Sequence, residues 1–434
     1  MTDQLWTSID QLCFIDTETK ALPHTRGTAD ESVVTSGAYR YRRGARVVMI
    51  QHAIGLDKPT VSAFPDFDIT RKFLWSPGSI PDDLWAFHQR ALRGEAWYVA
   101  WNMTFDRLML NTVDGCEIRP DMTIDAMAQG LASNSPGTLE GASRFVGRHG
   151  KQQDGKNLIG LFSNADGWHD LTTFHPHGAE HRWVGEPGAT PNTHAIEWER
   201  FKSYGAQDID ELRAVFQATR PLPRREWEEY WVSERINDRG MGVDVDFCYR
   251  ADLIAEANKR RLGLQLKALT GGKITAPTQR ERIANWLYDN CPSPEARDTL
   301  VKVWADIEDG AEDDDQLVPA KLSVAEDNLN KYLTFYRNLD EAEGLTDEEF
   351  DLLQIAEARS FGASATPAKF GKIVDQHDEG RLKGQYRFNG AQQTGRFSSV
   401  GVQIHNLIRA SLTDKDHPGR EVEVIDFINQ LEID

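Results

Sequence analysis

The apolar and polar positions of the first 220 residues change period repeatedly, from runs typical of strands to spacings typical of helices. Three apolar runs, rich in β-branched and aromatic residues, predict buried strands: LCFIDTETKAL (12–22), ARVVMIQHAIG (45–55) and EAWYVAWN (95–102). Three segments with helical spacing predict helices: PDDLWAFHQRALRG (81–94), TFDRLMLNTV (104–113) and IEWERFKSYGAQDIDELRAVFQATR (196–220). This alternation predicts an α/β domain around a mixed sheet.

The proline pair of PLPRRE predicts a domain boundary near residue 222, and beyond it the chain is mainly helical. Spacing or composition predicts helices over 224–237, 246–269, 278–290, 295–309, 323–340 and 346–359. From about residue 380 the chain is rich in Gly, Ser and Gln, and short alternating segments predict hairpins or extended loops. Residues 163–194, rich in Gly, Pro and His, predict a long loop that is functional or mobile.

Composition narrows the class of protein. The 434 residues are 40% hydrophobic and 27% charged, which predicts a globular chain of two to four domains at about 100–200 residues each. The chain has neither an apolar run long enough for a membrane span nor the pattern of a signal peptide. Its four cysteines are scattered without CxxC spacing, which is typical of a reducing compartment. We therefore expect a cytoplasmic protein that has no membrane partner.

The net charge of −19 argues against a module that grips duplex DNA over its whole surface. It is compatible with an enzyme that binds nucleic acid through a local basic strip and cuts it with clustered carboxylates. Segment 33–47 contains four arginines and no acid, and we predict that Arg40, Arg42 and Arg43 guide a DNA strand. Residues 306–315, with seven acids and no base, predict a solvated acidic loop.

Carboxylates at three places in the first 220 residues indicate a metal site. Asp16 and Glu18 are two positions apart at the end of a predicted strand, so both side chains point to one face. Such a pair suits Mg²⁺, which binds a few carboxylate oxygens plus water. Two later pairs have the i,i+4 spacing that puts both members on one face of a helix: Asn102 with Asp106, and Tyr204 with Asp208.

The three patterns in this order, D-x-E, N-x-x-F-D and Y-x-x-x-D, resemble the DEDD superfamily of 3′–5′ exonucleases in its tyrosine subclass. The resemblance implies a ribonuclease-H-like fold and a site for two divalent metal ions, Mg²⁺ with Mn²⁺ able to substitute, that stabilise the attacking and leaving oxygens. It also implies that Tyr204 positions the attacking water, and we assign Asn102 a contact to DNA. The implied metal ligands are the carboxylates of Asp16, Glu18, Asp106 and Asp208.

Further segments resemble the family A DNA polymerases of tailed phages, nearly from end to end. The quoted segments are DGKNLIGLF (154–162), EWERFKSYGAQDIDELRAVF (197–216), EEYWVSERINDRGMGVDVDF (228–247), GGKITAPTQRERIANWL (271–287), EARSFGASATPAKFGKI (357–373) and GRLKGQYRFNGAQQTGRFSSVGVQIHNLIR (380–409). The resemblance implies an exonuclease domain (1–222), a helical thumb-like region (223–378) and an incomplete, β-rich palm-entry segment (379–434).

The last of these segments contains the T-G-R motif that introduces the palm in that family. The resemblance implies that Arg396 contacts the primer–template, and we place Gln403 and Asn406 beside it as DNA contacts. The palm aspartates and the fingers lysine needed for polymerisation do not follow. QHDEG (376–380) and DFINQLEI (426–433) imitate palm motifs, but the first precedes T-G-R and the second needs a gap, so we interpret both as chance matches.

We therefore expect no polymerase activity from this chain alone. The chain is interpreted as part of a split or truncated polymerase, with a second polypeptide supplying palm and fingers. An unfinished palm sheet would leave apolar groups for that partner to cover. We expect Val402, Ile404, Leu407 and Ile408 to be buried by something outside residues 1–370.

The predicted activity is proofreading: metal-dependent 3′–5′ removal of nucleotides from single-stranded or frayed DNA ends. Two alternatives stay open at this point. One is a stand-alone exoribonuclease of the same superfamily, against which the thumb-like and T-G-R segments argue. The other is a non-catalytic subunit for polymerase assembly, against which the intact set of carboxylates argues.

Overall fold

The computed structural model describes residues 4–20, 33–63, 74–148, 155–163, 168–170, 173–175, 178–180, 183–185, 189–306, 317–362, 367–391 and 394–404. The chain forms two compact units. One comprises Met1–Val245 with Lys372–Leu407, and the other comprises Asp246–Gly371 with Ile408–Asp434. The functional boundaries expected near residues 222 and 378 stay predictions, since these units are defined by packing alone.

A five-stranded mixed sheet forms the centre of the first unit. Its strands are β1 (Leu12–Lys20), β2 (Arg46–Ile54), β3 (Thr60–Ala63), β4 (Trp97–Ala100) and β5 (Thr123–Asp125). The spatial order is β3-β2-β1-β4-β5, with β1 antiparallel to β2 and parallel to β4. The prediction of an α/β fold around a mixed sheet is confirmed.

Helices cover both faces of this sheet. They are α1 (Val33–Gly44), α2 (Asp82–Leu92), α3 (Met103–Leu110), α4 (Ala126–Ala132), α5 (Leu139–Phe145), α6 (Gly155–Ser163), α7 (Ala195–Ala218) and α8 (Arg224–Arg239). Successive residues of β1 point to opposite faces. Phe14 therefore packs with Ile209 and Leu212 of α7, whereas Ile15 packs with Leu84 and Phe87 of α2.

The described residues of region 163–194 include strands, where the composition predicted a long loop. Four short strands lie within it: β6 (Trp168–Asp170), β7 (Thr173–His175), β8 (Gly178–Glu180) and β9 (Trp183–Gly185). β7 pairs with β8 and β6 with β9, both antiparallel. Three-residue strands are too short to show a period of two in a sequence rich in Gly and Pro, which explains why the composition did not predict them.

Short strands also form the end of the first unit, as predicted for the region after residue 380. They are β10 (Met241–Gly242), β13 (Arg381–Leu382), β14 (Tyr386–Ala391) and β15 (Arg396–Ser399). β14 and β15 form a hairpin, and β13 pairs with β10. Val402 is buried, as expected, and its backbone N–H donates to the side chain of Gln385, which lies outside residues 1–370. Ile404 is half-buried, whereas Leu407 and Ile408 lie outside the described residues.

The second unit is mainly helical around its own apolar core. Its elements are α9 (Val245–Leu269), α10 (Arg280–Asn290), α11 (Pro294–Thr299), β11 (Val301–Asp306), β12 (Leu317–Leu322), α12 (Glu326–Ala342) and α13 (Asp347–Gly362), while α14 (Ala368–Gln376) crosses the boundary between the units. Leu266, Leu287, Tyr332, Tyr336 and Ile355 are among the buried side chains that pack together in it.

The predicted helix over 295–309 was wrong in its second half. Helix α11 begins after the Ser293 cap, with Pro294 at its first position, and ends at Thr299. Residues Val301–Asp306 instead form a strand that pairs antiparallel with Leu317–Leu322. The alternating β-branched residues Val301 and Val303 favour a strand once a partner strand is available.

No helix among the described residues is long and apolar enough to cross a membrane.

A buried ion-pair network joins α3 to α8 within the first unit. The Arg107 guanidinium, whose side chain is 4% exposed, lies 3.1 Å from a carboxylate oxygen of Glu234 and 2.7 Å from one of Asp238. Tyr39 of α1 donates a hydrogen bond to Asp238, and Thr104 donates one to Glu234. Because charges taken out of water must be paired, this network requires all its members.

Arg107→Ala is expected to lower the free energy of unfolding by about 3–5 kcal/mol, because it leaves the buried carboxylate of Glu234 and the half-buried one of Asp238 without their cation. The measurement is urea denaturation followed by circular dichroism. Arg93→Ala is the matched control, since it removes only an exposed pair with Glu95 and should leave the midpoint unchanged. Equal midpoints for both variants would contradict a structural role for the network.

Candidate metal centre

The register of β1 against β2 creates one polar patch on an otherwise apolar face of the sheet. Phe14 pairs with Ala53, Asp16 with Gln51, and Glu18 with Met49. Directly opposite residues of antiparallel strands share a face, so all six side chains face the same layer, the one that contains α7. The carboxylates at 16 and 18 thus project where the apolar part of the strand ends, as their spacing predicted.

Helix α7 brings a third carboxylate to this patch. Asp16, Glu18 and Asp208 each offer an oxygen, and these oxygens all lie within 4.8 Å of one another. Glu18 and Asp208 are buried, and Asp16 is half-buried. Asp208 is held there because Ile209 and Leu212, on the following turn, pack into the core against β1.

The donor set fits a divalent cation. Carboxylate oxygens are the ligands that Mg²⁺ and Mn²⁺ prefer. Three carboxylates this close repel each other strongly when buried, and a cation among them would remove that repulsion.

Asp106, the fourth carboxylate expected in the site, approaches from the other face of β1. One of its oxygens accepts hydrogen bonds from the backbone N–H and the hydroxyl of Thr17, at 2.9 and 2.8 Å. Burial, followed by the nearby charge of Asp16, raises the pKa of Asp106 well above its usual value. The structure therefore brings Asp106 beside Asp16 but ties it to Thr17, a contact that sequence analysis missed.

Tyr204 lies one turn before Asp208 on α7 and is buried. Its ring stacks on Phe201, with ring centroids 6.3 Å apart. The ring also covers Gly155, the first residue of α6, where a Cβ atom would overlap it. Glycine at this position lets α6 pack directly on the tyrosine, which explains why the DGKNL segment has a glycine here.

The predicted DNA-binding arginines of α1 have partners within the first unit. Arg40 donates to the backbone oxygens of Val374 and Asp375 at 2.9 and 2.7 Å. Arg43 pairs with Asp378 and Glu379. Arg42 lies 3.8 Å from Asp378 and above the Tyr39 ring. Their sequence suggested only a basic strip, but in the fold these arginines attach α1 to residues 374–379.

Asp378 belongs to the QHDEG segment that imitates a palm motif. Its side chain is fully buried and also pairs with Lys383 at 2.7 Å. Burial would raise the pKa of this carboxyl, but hydrogen bonds from Arg43 and Lys383 outweigh it and hold the pKa below its usual value. These contacts give Asp378 a structural role, in agreement with its interpretation as a chance match.

Four further residues were predicted to contact DNA: Asn102, Arg396, Gln403 and Asn406. Asn102 is exposed and has a left-handed backbone conformation (φ 65°) at the start of α3. Arg396 and Gln403 are exposed in and after the hairpin, whereas Asn406 lies outside the described residues. Their contact to DNA stays a prediction.

Asp125, which precedes α4, is a buried acid that sequence analysis did not single out. Its carboxylate accepts hydrogen bonds from the backbone N–H groups of Asn102 and Met127 at 3.0 and 2.9 Å. Burial raises the pKa of Asp125 to about 7, with a smaller contribution from the charge of Glu234. The residue thus holds the loop that contains Asn102 against α4.

No family model matches the chain. Over 322 residues, 73% of its length, the chain is 23% identical to the DNA polymerase of Bacillus phage SP02, and the match covers 42% of that polymerase. The chain therefore spans less than half of this relative. A solved structure, the POL domain of Pol1 from M. smegmatis in complex with DNA primer-template and dNTP, is similar at a TM-score of 0.43 and 11% identity, over 85% of this chain and 50% of that one.

Asp125→Asn is expected to change the pH dependence of stability. The pKa of Asp125 is about 7 in the fold and about 3.9 in unfolded chains, so the folded state binds more protons between these values. The contribution of Asp125 to stability therefore falls as the pH rises from about 4 to 7. Asparagine keeps the acceptor oxygen and removes the titration, so the variant should be more stable than the wild type at pH 8, by about 2–4 kcal/mol.

The measurement is the unfolding temperature of both proteins from pH 4 to pH 8. Asp121→Asn, which changes an exposed carboxylate paired with Arg119, is the control and should follow the wild type. Parallel curves for wild type and Asp125→Asn would contradict the raised pKa.

Proposed function

We propose that this chain is a metal-dependent 3′–5′ exonuclease that removes nucleotides from DNA 3′ ends in the cytoplasm. The observation that carries the proposal is the meeting of Asp16, Glu18 and Asp208 in one buried cluster, with Tyr204 one turn away. An acid pair on a central strand and a Y-x-x-x-D helix across it are the arrangement implied by the DEDD resemblance. The similarity to a phage DNA polymerase supports DNA as the substrate.

In this proposal Asp16, Glu18, Asp106 and Asp208 hold divalent metal ions, with Asp106 held beside Asp16 by its hydrogen bonds from Thr17. The ions, when bound, stabilise charge on the attacking and leaving oxygens of the phosphodiester. Tyr204 holds the attacking water by its hydroxyl, since its ring is fixed between Phe201 and Gly155. Asn102, exposed before α3, contacts the DNA strand. The products are nucleoside 5′-monophosphates.

We further propose that the exonuclease serves as the proofreading part of a family A-like polymerase. The similarity to the SP02 polymerase, which extends over 73% of the chain, supports this context. In the proposal the thumb-like region and palm entry, with Arg396 and Gln403, face the primer–template. Palm and fingers come from a second polypeptide, which purification from the native source followed by mass spectrometry would identify.

Asp16→Ala and Asp208→Ala are each expected to reduce exonuclease turnover by about 10³-fold, because each removes charge and a ligand from the metal site. Tyr204→Phe should lose about 10-fold to 100-fold, because only the alignment of water suffers. The measurement is release of mononucleotides from labelled single-stranded DNA in Mg²⁺, with Mn²⁺ as a second metal.

The matched control is Asp210→Ala, on the same helix two positions beyond Asp208. Asp210 pairs at the surface with Arg213, so its loss should leave turnover within about twofold of the wild type. If Asp16→Ala and Asp208→Ala digest DNA as fast as Asp210→Ala does, the cluster is not the site of catalysis.

DNA is expected to be degraded faster than RNA of the same sequence. The comparison uses matched oligonucleotides of both kinds, single-stranded and in excess over the enzyme. Faster degradation of RNA would favour a stand-alone exoribonuclease instead. Degradation of neither, by a folded protein, would favour the non-catalytic subunit.

A further inference from the structure

Gln51 is a polar residue at the centre of β2, on the face of the strand where its neighbours Met49 and Ala53 are apolar. Its side chain is completely buried, and neither Oε1 nor Nε2 has a hydrogen-bond partner within the described part of the chain. A buried amide without partners destabilises a fold, and an apolar side chain of the same length would avoid that cost. Nothing in the packing of β2 therefore explains a glutamine here.

The amide of Gln51 is directed at α7 between the two functional residues of that helix. A Cβ atom at Gly205 would lie 2.7 Å from Cγ and 2.8 Å from Cδ of Gln51, and Nε2 is nearer still. Gly205 follows Tyr204 and precedes Asp208 by three positions. The absence of a side chain at 205 thus gives the amide its space against the helix.

Gln51 also lies beside the carboxylate cluster. It is the register partner of Asp16, so the two side chains share the face of the sheet beneath α7. On α7, residues three positions apart have Cβ atoms about 5–6 Å apart. The Nε2 atom beside Gly205 therefore lies at the face of α7 that carries Asp208.

We propose that Gln51 is a positioning residue of the metal centre, whose Nε2–H donates a hydrogen bond to the Asp208 carboxylate when the site is loaded. The bond fixes which Asp208 oxygen faces the cation, and it gives the buried amide the partner it lacks otherwise. Hydrogen bonds to metal-binding carboxylates are a general means of orienting such ligands. The inference rests on the proposed function, because it assumes that the cluster binds metal.

The test is the Mn²⁺ dependence of the unfolding temperature, which reports binding to the folded state independently of turnover. Gln51→Met keeps the length and removes both polar atoms. It is expected to unfold without metal at the same temperature as the wild type or higher, since it removes two polar atoms without partners. Its apparent Mn²⁺ affinity should be about 10-fold to 100-fold weaker.

Gln51→Glu tests whether the side chain at position 51 has to donate a hydrogen bond or only to accept one. An ionised carboxylate cannot donate, so the proposal predicts no recovery of Mn²⁺ affinity in this variant. Affinity at or above that of the wild type would mean that residue 51 acts as an acceptor or ligand, and would overturn the proposed donation. Gln129→Met is the structural control: this buried glutamine of α4 donates to Phe216 and Thr219, so its loss should lower the unfolding temperature in the absence of metal and leave the Mn²⁺ response unchanged.

Gln51→Leu, a second apolar variant, gives the same comparison if Gln51→Met does not fold. A wild-type Mn²⁺ response in a folded Gln51→Met or Gln51→Leu protein would overturn the role of Gln51 and leave the proposed exonuclease intact. The proposed function itself fails in a different way. In that case the wild type shows neither a Mn²⁺-dependent rise in unfolding temperature nor release of nucleotides.

Discussion

The constraint that organises the first unit is the close approach of three carboxylates that repel one another. The packing of β1 and α7 has to hold them in place against that repulsion. Asp16, Glu18 and Asp208 have oxygens within 4.8 Å of one another, although two of these side chains are buried. The fold holds them together by packing: β1 is the central strand of the sheet, and α7 is anchored across it by apolar residues on both sides of Asp208. Packing of the apolar core thus holds three acidic groups together, and a cation bound among them would relieve their repulsion.

Both faces of strand β1 position carboxylates of the candidate metal site. Asp16 and Glu18, near the end of the strand, lie on the face covered by α7. Thr17, between them, donates hydrogen bonds to Asp106 on the opposite face. One short D-T-E segment thereby provides two carboxylates of the site and holds a third, Asp106, which comes from a distant part of the chain. The threonine is consequently as much a part of the site's architecture as the acids are.

Much of this arrangement was predictable from the sequence, because the strand period and the i,i+4 spacing act locally. The spacing of Asp16 and Glu18 places them on one face wherever the strand lies, and the apolar pattern of α7 fixes which side of the helix carries Asp208. The partners of Arg40 and Arg43 were not predictable, since they lie more than 330 positions away along the chain. Gln51 and Gly205 carried a signal, a polar residue between two apolar ones on a strand face and a glycine in a helix, but the meaning of this signal depends on their contact.

The central claim, that this cluster is a metal centre, is tested most directly by locating the metal. Crystals of the protein soaked in Mn²⁺ should show anomalous scattering from manganese between the carboxylates of Asp16, Glu18 and Asp208, and crystals of Asp208→Asn should show a weaker peak there. An occupied manganese site elsewhere in the chain, with none at this cluster, would contradict the account.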